Sequence, residues 1–156
     1  MTITIKADIR QYIAQNIGLI TIAASAVAIT LTVGYQPVAF SSLLLLIGSL
    51  SILCLNWMML YSYKWNIREE TITRTHGILT KHTDHLELYR VVDYRETQTF
   101  FQQLLGVKTV TLISTDKSDP VMPIHGIRRQ IDLVTIIRNK VELSKQHKHI
   151  YEIANL

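Results

Sequence analysis

A chain of 156 residues with a formal net charge of +4, one cysteine and a mean hydropathy of +0.20 has room for one modest domain beside any membrane segment. The single Cys54 provides no disulfide framework, and so mild a basic excess excludes a charge-based argument for nucleic acid. Of the 16 Lys+Arg only Lys6 and Arg10, and of the 12 Asp+Glu only Asp8, lie ahead of a long uncharged stretch, so nearly all the charge is carried by the residues beyond that stretch.

The chain begins MTITIKADIRQYIAQNIG, a short polar start. Lys6 and Arg10 ahead of an apolar run suggest a cleavable signal, but the small residues Ala23-Ala24-Ser25-Ala26 lie in the middle of that run and a second run comes after it, so the segment is expected to be retained. From Gln11 to Tyr63 there is no Asp, Glu, Lys or Arg. Within this stretch Ile17–Val33 and Val38–Leu60 are apolar runs separated by Gly34-Tyr35-Gln36-Pro37. About 20 apolar residues cross a hydrocarbon core of roughly 30 Å, a length the first run reaches from Ile13. The sequence therefore predicts a transmembrane hairpin at about 13–33 and 38–60 within an N-terminal segment 1–64.

Lys6 and Arg10 before the hairpin, and Lys64 and Arg68 after it, place both termini on the cytoplasmic side. Trp57, Tyr61, Tyr63 and Trp65 suit the membrane interface at the exit, and Tyr35 suits it at the far turn. The polar residues within the spans, Asn56 and Ser49 among them, are neutral. Bonding back to their own helix, or between helices, accounts for them better than a transport path, which calls for an ionisable group at depth. Ala14 with Gly18, and Ala24 with Ala28, offer small surfaces for helix packing.

Beyond Trp65 the pattern turns to short strands. Trp65–Arg68 and Thr71–His76 flank the polar break Glu69-Glu70 as a hairpin, and Ile78–Lys81 reads as further extended chain. Asp84–Tyr89 and Val91–Tyr94 are β-rich, and Val107–Thr115 alternates strongly. After the turn Asp116–Asp119, a strand at Val121–Ile124 is confined to an edge or an end by Pro123. Ile127, Ile131, Val134, Ile137 and Val141 form one face of a closing helix, followed by a polar tail, 143–156.

Candidates for chemistry are sparse. His82-x-x-His85-x-Glu87 carries metal-capable residues, but on a strand only His85 and Glu87 share a face, so no metal site is predicted. His147 and His149 read as solvated. Asp93 and Glu96 lack a nucleophile or Gly-rich loop nearby, and Ser114 and Ser118 lack a nucleophile elbow. No catalytic residue, cofactor or small-molecule substrate is predicted. Phe100 and Phe101, beside Leu104-Leu105, suit either an exposed contact surface or the core where the chain turns; core filling is the favoured expectation.

Two apolar spans, Trp65-Asn66-Ile67, Gly77-Ile78-Leu79, the block Leu86-Glu87-Leu88-Tyr89-Arg90-Val91-Val92-Asp93, and Phe101-Gln102-Gln103-Leu104-Leu105-Gly106-Val107 before a long strand together resemble the bacterial pleckstrin-homology (PH) membrane proteins. The resemblance implies a mainly-β PH-like domain at 65–142, with about seven antiparallel strands in two orthogonal sheets and a capping C-terminal helix. It also implies residence in the bacterial inner membrane and self-association. Eukaryotic PH domains that bind phosphoinositides carry Lys and Arg around the loop between the first two strands. Here that loop is Glu69-Glu70, so no phosphoinositide specificity is carried over.

The expected function is a membrane-anchored, non-enzymatic interaction or scaffolding module, whose partners are the bilayer and copies of itself or other membrane proteins. Two alternatives stand beside it. One is binding to an anionic lipid surface, with Lys64, Arg68, Arg74 and Lys81 as contacts. The other is a small oligomeric transporter or channel subunit.

Overall fold

The computed structural model describes residues 2–117 and 119–147. Two helices, α1 (Ile9–Thr32) and α2 (Gln36–Ser62), dominate its first half. Their 24 and 27 residues correspond to about 36 and 40 Å of helix, and both are long and apolar enough to cross a membrane. Pro37 sits in the first turn of α2, where its missing N–H costs no helical bond.

The helices pack antiparallel. Asn56 Nδ2 donates to Asn16 Oδ1 at 2.7 Å, Tyr12 Oη donates to the Leu53 carbonyl at 2.7 Å, and the Thr30 and Ser42 hydroxyls lie 2.8 Å apart near the far end. Most other span hydroxyls bond back to their own helix, as Thr21 to the Gly18 carbonyl and Ser49 to that of Leu46. The polar residues of the hairpin thus serve its packing. Ala14 is buried and lines a cleft toward the domain together with Gly18, while Ala24 and Ala28 are exposed.

The polar start contains a strand that its sequence does not announce. Ile3–Lys6, β1, precedes the hairpin yet pairs antiparallel with β2 (Lys64–Ile67), on the other side of it; the register runs from Ile3↔Ile67 to Lys6↔Lys64. Ile3 and Ile5 pack against the core from this edge, while Thr4 Oγ1 bonds Asn66 Oδ1 at 2.9 Å on the other face. β3 (Thr71–His76) and β4 (His82–Glu87) complete a four-stranded sheet in the order β1-β2-β3-β4. Glu69-Glu70 form the β2–β3 turn, as expected. The expected continuation at Ile78–Lys81 is instead the β3–β4 loop, which starts at Gly77 with φ 108°.

A 3-10 turn, Leu88–Arg90, leads into a second antiparallel sheet of β5 (Val91–Thr97), β6 (Val107–Ser114) and β7 (Val121–Arg128) in that order, so Pro123 does lie on an edge strand. Trp65, Ile67, Ile72 and Leu86 from the first sheet meet Val110, Leu112, Met122 and Ile124 from the second. The closing helix α4 (Leu133–His147) adds Leu133, Ile137 and Val141. It starts later than the apolar stripe suggests. β7 stays paired with β6 as far as Arg128, which puts Ile127 in the sheet. The helix begins where the Asp132 carboxylate accepts the Thr135 N–H at 3.2 Å. Residues 143–147, expected in the tail, are its last turn, and 148–156 lie outside the described residues.

Between β5 and β6 the six-residue helix α3 (Phe100–Leu105) is fixed by a capping box between Thr99 and Gln102 and ends at Gly106 in the left-handed region. This box orients α3 with Gln102 buried, which leaves Phe100 72% and Phe101 37% exposed. The core-filling expectation for these two residues is therefore corrected.

Gly126, with φ 72°, is where the start of α1 meets β7. A Cβ there would lie 2.9 Å from both Asp8 N and Gln11 Cβ. Gly126→Ala combines that overlap with an unfavourable φ and is expected to destabilise the protein by about 1–3 kcal/mol. A thermal midpoint in detergent equal to that of the parent would contradict this account of the junction.

Candidate functional site

The hairpin and the sheets meet through a polar collar at the base of α1. Asp8 caps the helix, its Oδ1 accepting the Arg10 N–H at 3.0 Å, while Oδ2 accepts from Arg128 Nε at 2.8 Å. The Asp8 N–H donates to the Gly126 carbonyl at 3.0 Å. The Arg10 backbone bond, with Arg128 adding to it against the cost of burial, holds the Asp8 carboxyl below its ordinary range. Arg10 Nη1 reaches the Leu105 carbonyl at 3.4 Å, at the end of α3.

One turn into the helix the contacts are neutral. Gln102 Nε2 donates to Gln11 Oε1 at 2.8 Å and to Thr109 Oγ1 at 3.0 Å, and Thr109 Oγ1 lies 3.4 Å from His125 Nδ1. Gln11 and Gln102 are both buried, and their amides satisfy each other without bringing a charge into the interface. Of these residues only the Thr99-x-x-Gln102 box carries a local sequence signature. Gln11, Thr109, His125 and Gly126 acquire their roles from non-local pairing.

A cavity of about 980 Å³ separates α1 from the outer face of β5-β6-β7. Gln11, Gln15, Thr109, Thr111 and His125 line it, with Ile17 and Phe101 among its apolar walls. A smaller cavity of about 350 Å³ shares Gln15 and His125 and reaches Asn16 and Asn56. The outward face of the second sheet is thus polar but uncharged where it approaches the helices. Within this lining the Thr109 hydroxyl and the His125 ring meet each other at 3.4 Å, and the Thr109 hydroxyl also accepts from Gln102.

The four candidate membrane-contact cations separate in space. Lys64 begins β2 directly after α2, and Lys81 precedes the His82 that pairs with His76, so both lie at the sheet end next to the hairpin. Lys6 joins them as the cross-strand partner of Lys64. Arg68 lies at the opposite end of β2, beside the acidic turn. Arg74 is an internal cation: it meets Asp84 at 2.9 Å and Asp119 at 2.8 Å, and its side chain is only 17% exposed. That commitment differs from the surface role expected of it, because Asp119 approaches from a loop 45 residues away. Lys64, Arg68 and Lys81 are exposed.

The remaining candidates do not converge. The His82 ring lies tilted beside that of His76, 5.6 Å between centroids, His85 lies opposite Thr73, and Glu87 faces Arg90 at 3.4 Å. Glu96 pairs with Lys108 at 2.6 Å, and the Ser114 hydroxyl bonds the Asp119 carbonyl at 3.2 Å. Among the described residues no group of three or more His, Cys, Asp or Glu is placed to hold a metal ion. Ser118 and His149 lie outside the described residues.

Half-buried His125 links the cavity wall to stability. Burial first, and then the Arg74 charge, lower its pKa from 6.5. Above about pH 6.5 folded and unfolded chains both hold it neutral, and its contribution is fully present. As pH falls through that value the unfolded chain takes up the proton first, so stability declines until the folded histidine also titrates. His125→Gln is expected to flatten this part of a thermal-midpoint profile recorded between about pH 8 and 5; an unchanged slope would remove His125 as its source.

With this geometry in place, comparison with known proteins yields one match. The family model described as the bacterial PH domain matches residues 12–141, from the base of α1 into α4. No curated protein and no solved structure matches the chain. The matched span takes in both long helices, β2 to β7 and most of α4, and the chain belongs to the bacterial PH domain family.

Proposed function

We propose that this protein is a membrane-anchored, non-enzymatic interaction module that presents its PH domain at the cytoplasmic face of a bacterial inner membrane. The observation that carries the proposal is the closure of one sheet across the hairpin. β1 enters α1 through Asp8, β2 leaves α2 at Tyr63, and the two strands pair residue by residue. A domain held at both ends of its anchor keeps one face toward the bilayer and another toward the cytoplasm. Confinement to a surface in a fixed pose raises the effective concentration of one copy for another.

The contact surface in this proposal is the exposed side of α3, Phe100 and Phe101, with Leu104 at 73% exposure beside them. Its partner is a second copy or another membrane protein. Lys64 and Lys81, beside the hairpin end, favour an accessory interaction with anionic headgroups, worth about 1 kcal/mol per basic side chain near the surface. Arg68, at the far turn, takes no part in it.

Crosslinking of the full-length chain in vesicles tests the self-association arm. A crosslinked dimer is expected, reduced at least about fivefold in Phe100→Asp/Phe101→Asp while membrane retention is unchanged. A dimer indifferent to that double substitution would move the contact elsewhere. A chain monomeric at every protein-to-lipid ratio, but conducting ions in a manner lost on Asn56→Ala, would favour the channel alternative instead.

A further inference from the structure

The β3–β4 loop, Gly77–Lys81, combines features that neither the anchor nor the α3 surface uses. Its tip carries Ile78 and Leu79, 37% and 99% exposed. Single exposed leucines are common on soluble proteins and by themselves mean little. This one is distinguished by where the fold holds it.

β2 departs from the end of α2, and β3 runs antiparallel to it, so β3 returns toward that helix end: Ile72 pairs with Ile67 and Thr75 with Lys64. The loop therefore continues past the level of Lys64, alongside the last turns of α2. The Gly77 N–H donates to Ser62 Oγ at 3.3 Å, fastening the start of the loop to the final residue of that helix. Tyr63 stacks on the His76 ring at 5.5 Å, and His76 lies 5.6 Å from His82 across the neck of the loop. At Gly77 a Cβ would collide with the Thr80 carbonyl oxygen, so the loop is closed tightly, with Leu79 almost fully exposed at its tip.

The surroundings select an occupant. Met58 and Tyr61, on the last turns of the helix to which the loop is fastened, are 44% and 67% exposed, and Lys6 Nζ lies 5.9 Å over the Tyr61 ring, so apolar and basic side chains are mixed at this level. Lys81 comes after the tip, while Lys64 and Lys6 lie opposite each other at the same sheet end. An apolar tip beside a row of ammonium groups matches the boundary between acyl chains and anionic headgroups.

We propose that Ile78 and Leu79 insert into the cytoplasmic leaflet as a third membrane contact beside α1 and α2, with Lys6, Lys64 and Lys81 resting on anionic lipid heads. The proposal rests on the membrane-anchored reading of the hairpin. Its physical consequence is to fix the rotation of the domain about the hairpin axis, because two adjacent helices define a line of attachment and the loop adds a point beside it.

The test uses the full-length chain carrying Cys54→Ser, which removes its free thiol, and a new cysteine labelled with an environment-sensitive NBD fluorophore. The cysteine is placed either by Leu79→Cys or, as a control, by Glu69→Cys at the distal turn. Both forms are reconstituted into phosphatidylcholine–phosphatidylglycerol vesicles with and without doxyl-labelled lipid. The expected result is a blue-shifted emission at position 79, quenched by doxyl lipid at least about threefold more than at position 69. Leu79→Asp, in the otherwise unaltered chain, is expected to speed tryptic cleavage after Lys81 in the vesicles at least about fivefold.

Equal and weak quenching at the two positions, with the chain resistant to carbonate extraction, would overturn the inserted loop and leave the anchor standing. A blue shift at position 79 without lipid quenching would assign the tip to a protein surface and also overturn it. Release of the chain by carbonate would remove the anchor reading and this inference together.

Discussion

The antiparallel pairing of β1 with β2 is the constraint on which the rest of the structure depends. These strands are separated in sequence by both long helices, yet pair from Ile3↔Ile67 to Lys6↔Lys64. A flexible connection of that length would oppose the pairing through loop-closure entropy. An antiparallel helical hairpin removes most of this cost, because neighbouring helix axes lie about 8–10 Å apart and the two chain ends emerge side by side. The Asn16–Asn56 and Thr30–Ser42 contacts that hold the hairpin together thus also bring Lys6 opposite Lys64. Hairpin and sheet are thereby joined in one structural unit. A fragment beginning at Trp65 would leave β2 as a bare edge and strip Ile3 and Ile5 from the core.

Around that closure the polar contacts are graded by their exposure to water. In the ionised pair Asp8–Arg128 the arginine side chain is 65% exposed, and the carboxylate, 11% exposed, offsets its burial with the Arg10 backbone N–H as well as Arg128. Deeper in, where Gln11 and Gln102 are almost fully buried, the groups are amides and hydroxyls that donate and accept among themselves. A lysine in place of Gln102 would face the uncompensated burial of a charge beside an apolar helix. Gly126 completes the arrangement by letting backbone meet backbone, a fit that a side chain on β7 would prevent.

How much of the structure is legible in the sequence depends on the range over which each signal acts. The two apolar runs, the alternation of Val107–Ser114 and the edge position of Pro123 are local or composition-driven and can be read directly. The alternation in Thr2-Ile3-Thr4-Ile5 is equally local, but four residues ahead of an apolar run carry little weight, and only the hairpin makes them a strand. Ile127 and Ile131 satisfy a helical period by coincidence: Ile127 is buried as a strand residue, and the helix waits for the Asp132 cap. Hydrophobicity alone sends Phe100 and Phe101 to the core, whereas Thr99-x-x-Gln102 specifies which face of so short a helix turns inward. The partnership of Arg74 with Asp119, like that of Gln11 with Gln102, arises from tertiary proximity and has no local trace.

The placement of the acidic β2–β3 turn gives the domain a direction. In PH domains that capture phosphoinositides this loop carries the cations, and here it carries Glu69 and Glu70 at the end of β2 farthest from α2. His147 Nδ1, on the last turn of α4, stands 3.9 Å from Glu70. Glu70 therefore lies beside the basic last turn of the closing helix, whose dipole also favours positive charge there. Phosphate at this loop would meet carboxylates, and the hairpin joins the sheet at its other end. The exposed Lys64 and Lys81 accompany the hairpin at the opposite end of the same strands. In this chain the exposed lysines stand at the end of the sheet nearest the hairpin, and the loop that carries cations in phosphoinositide-binding PH domains faces α4 with carboxylates instead.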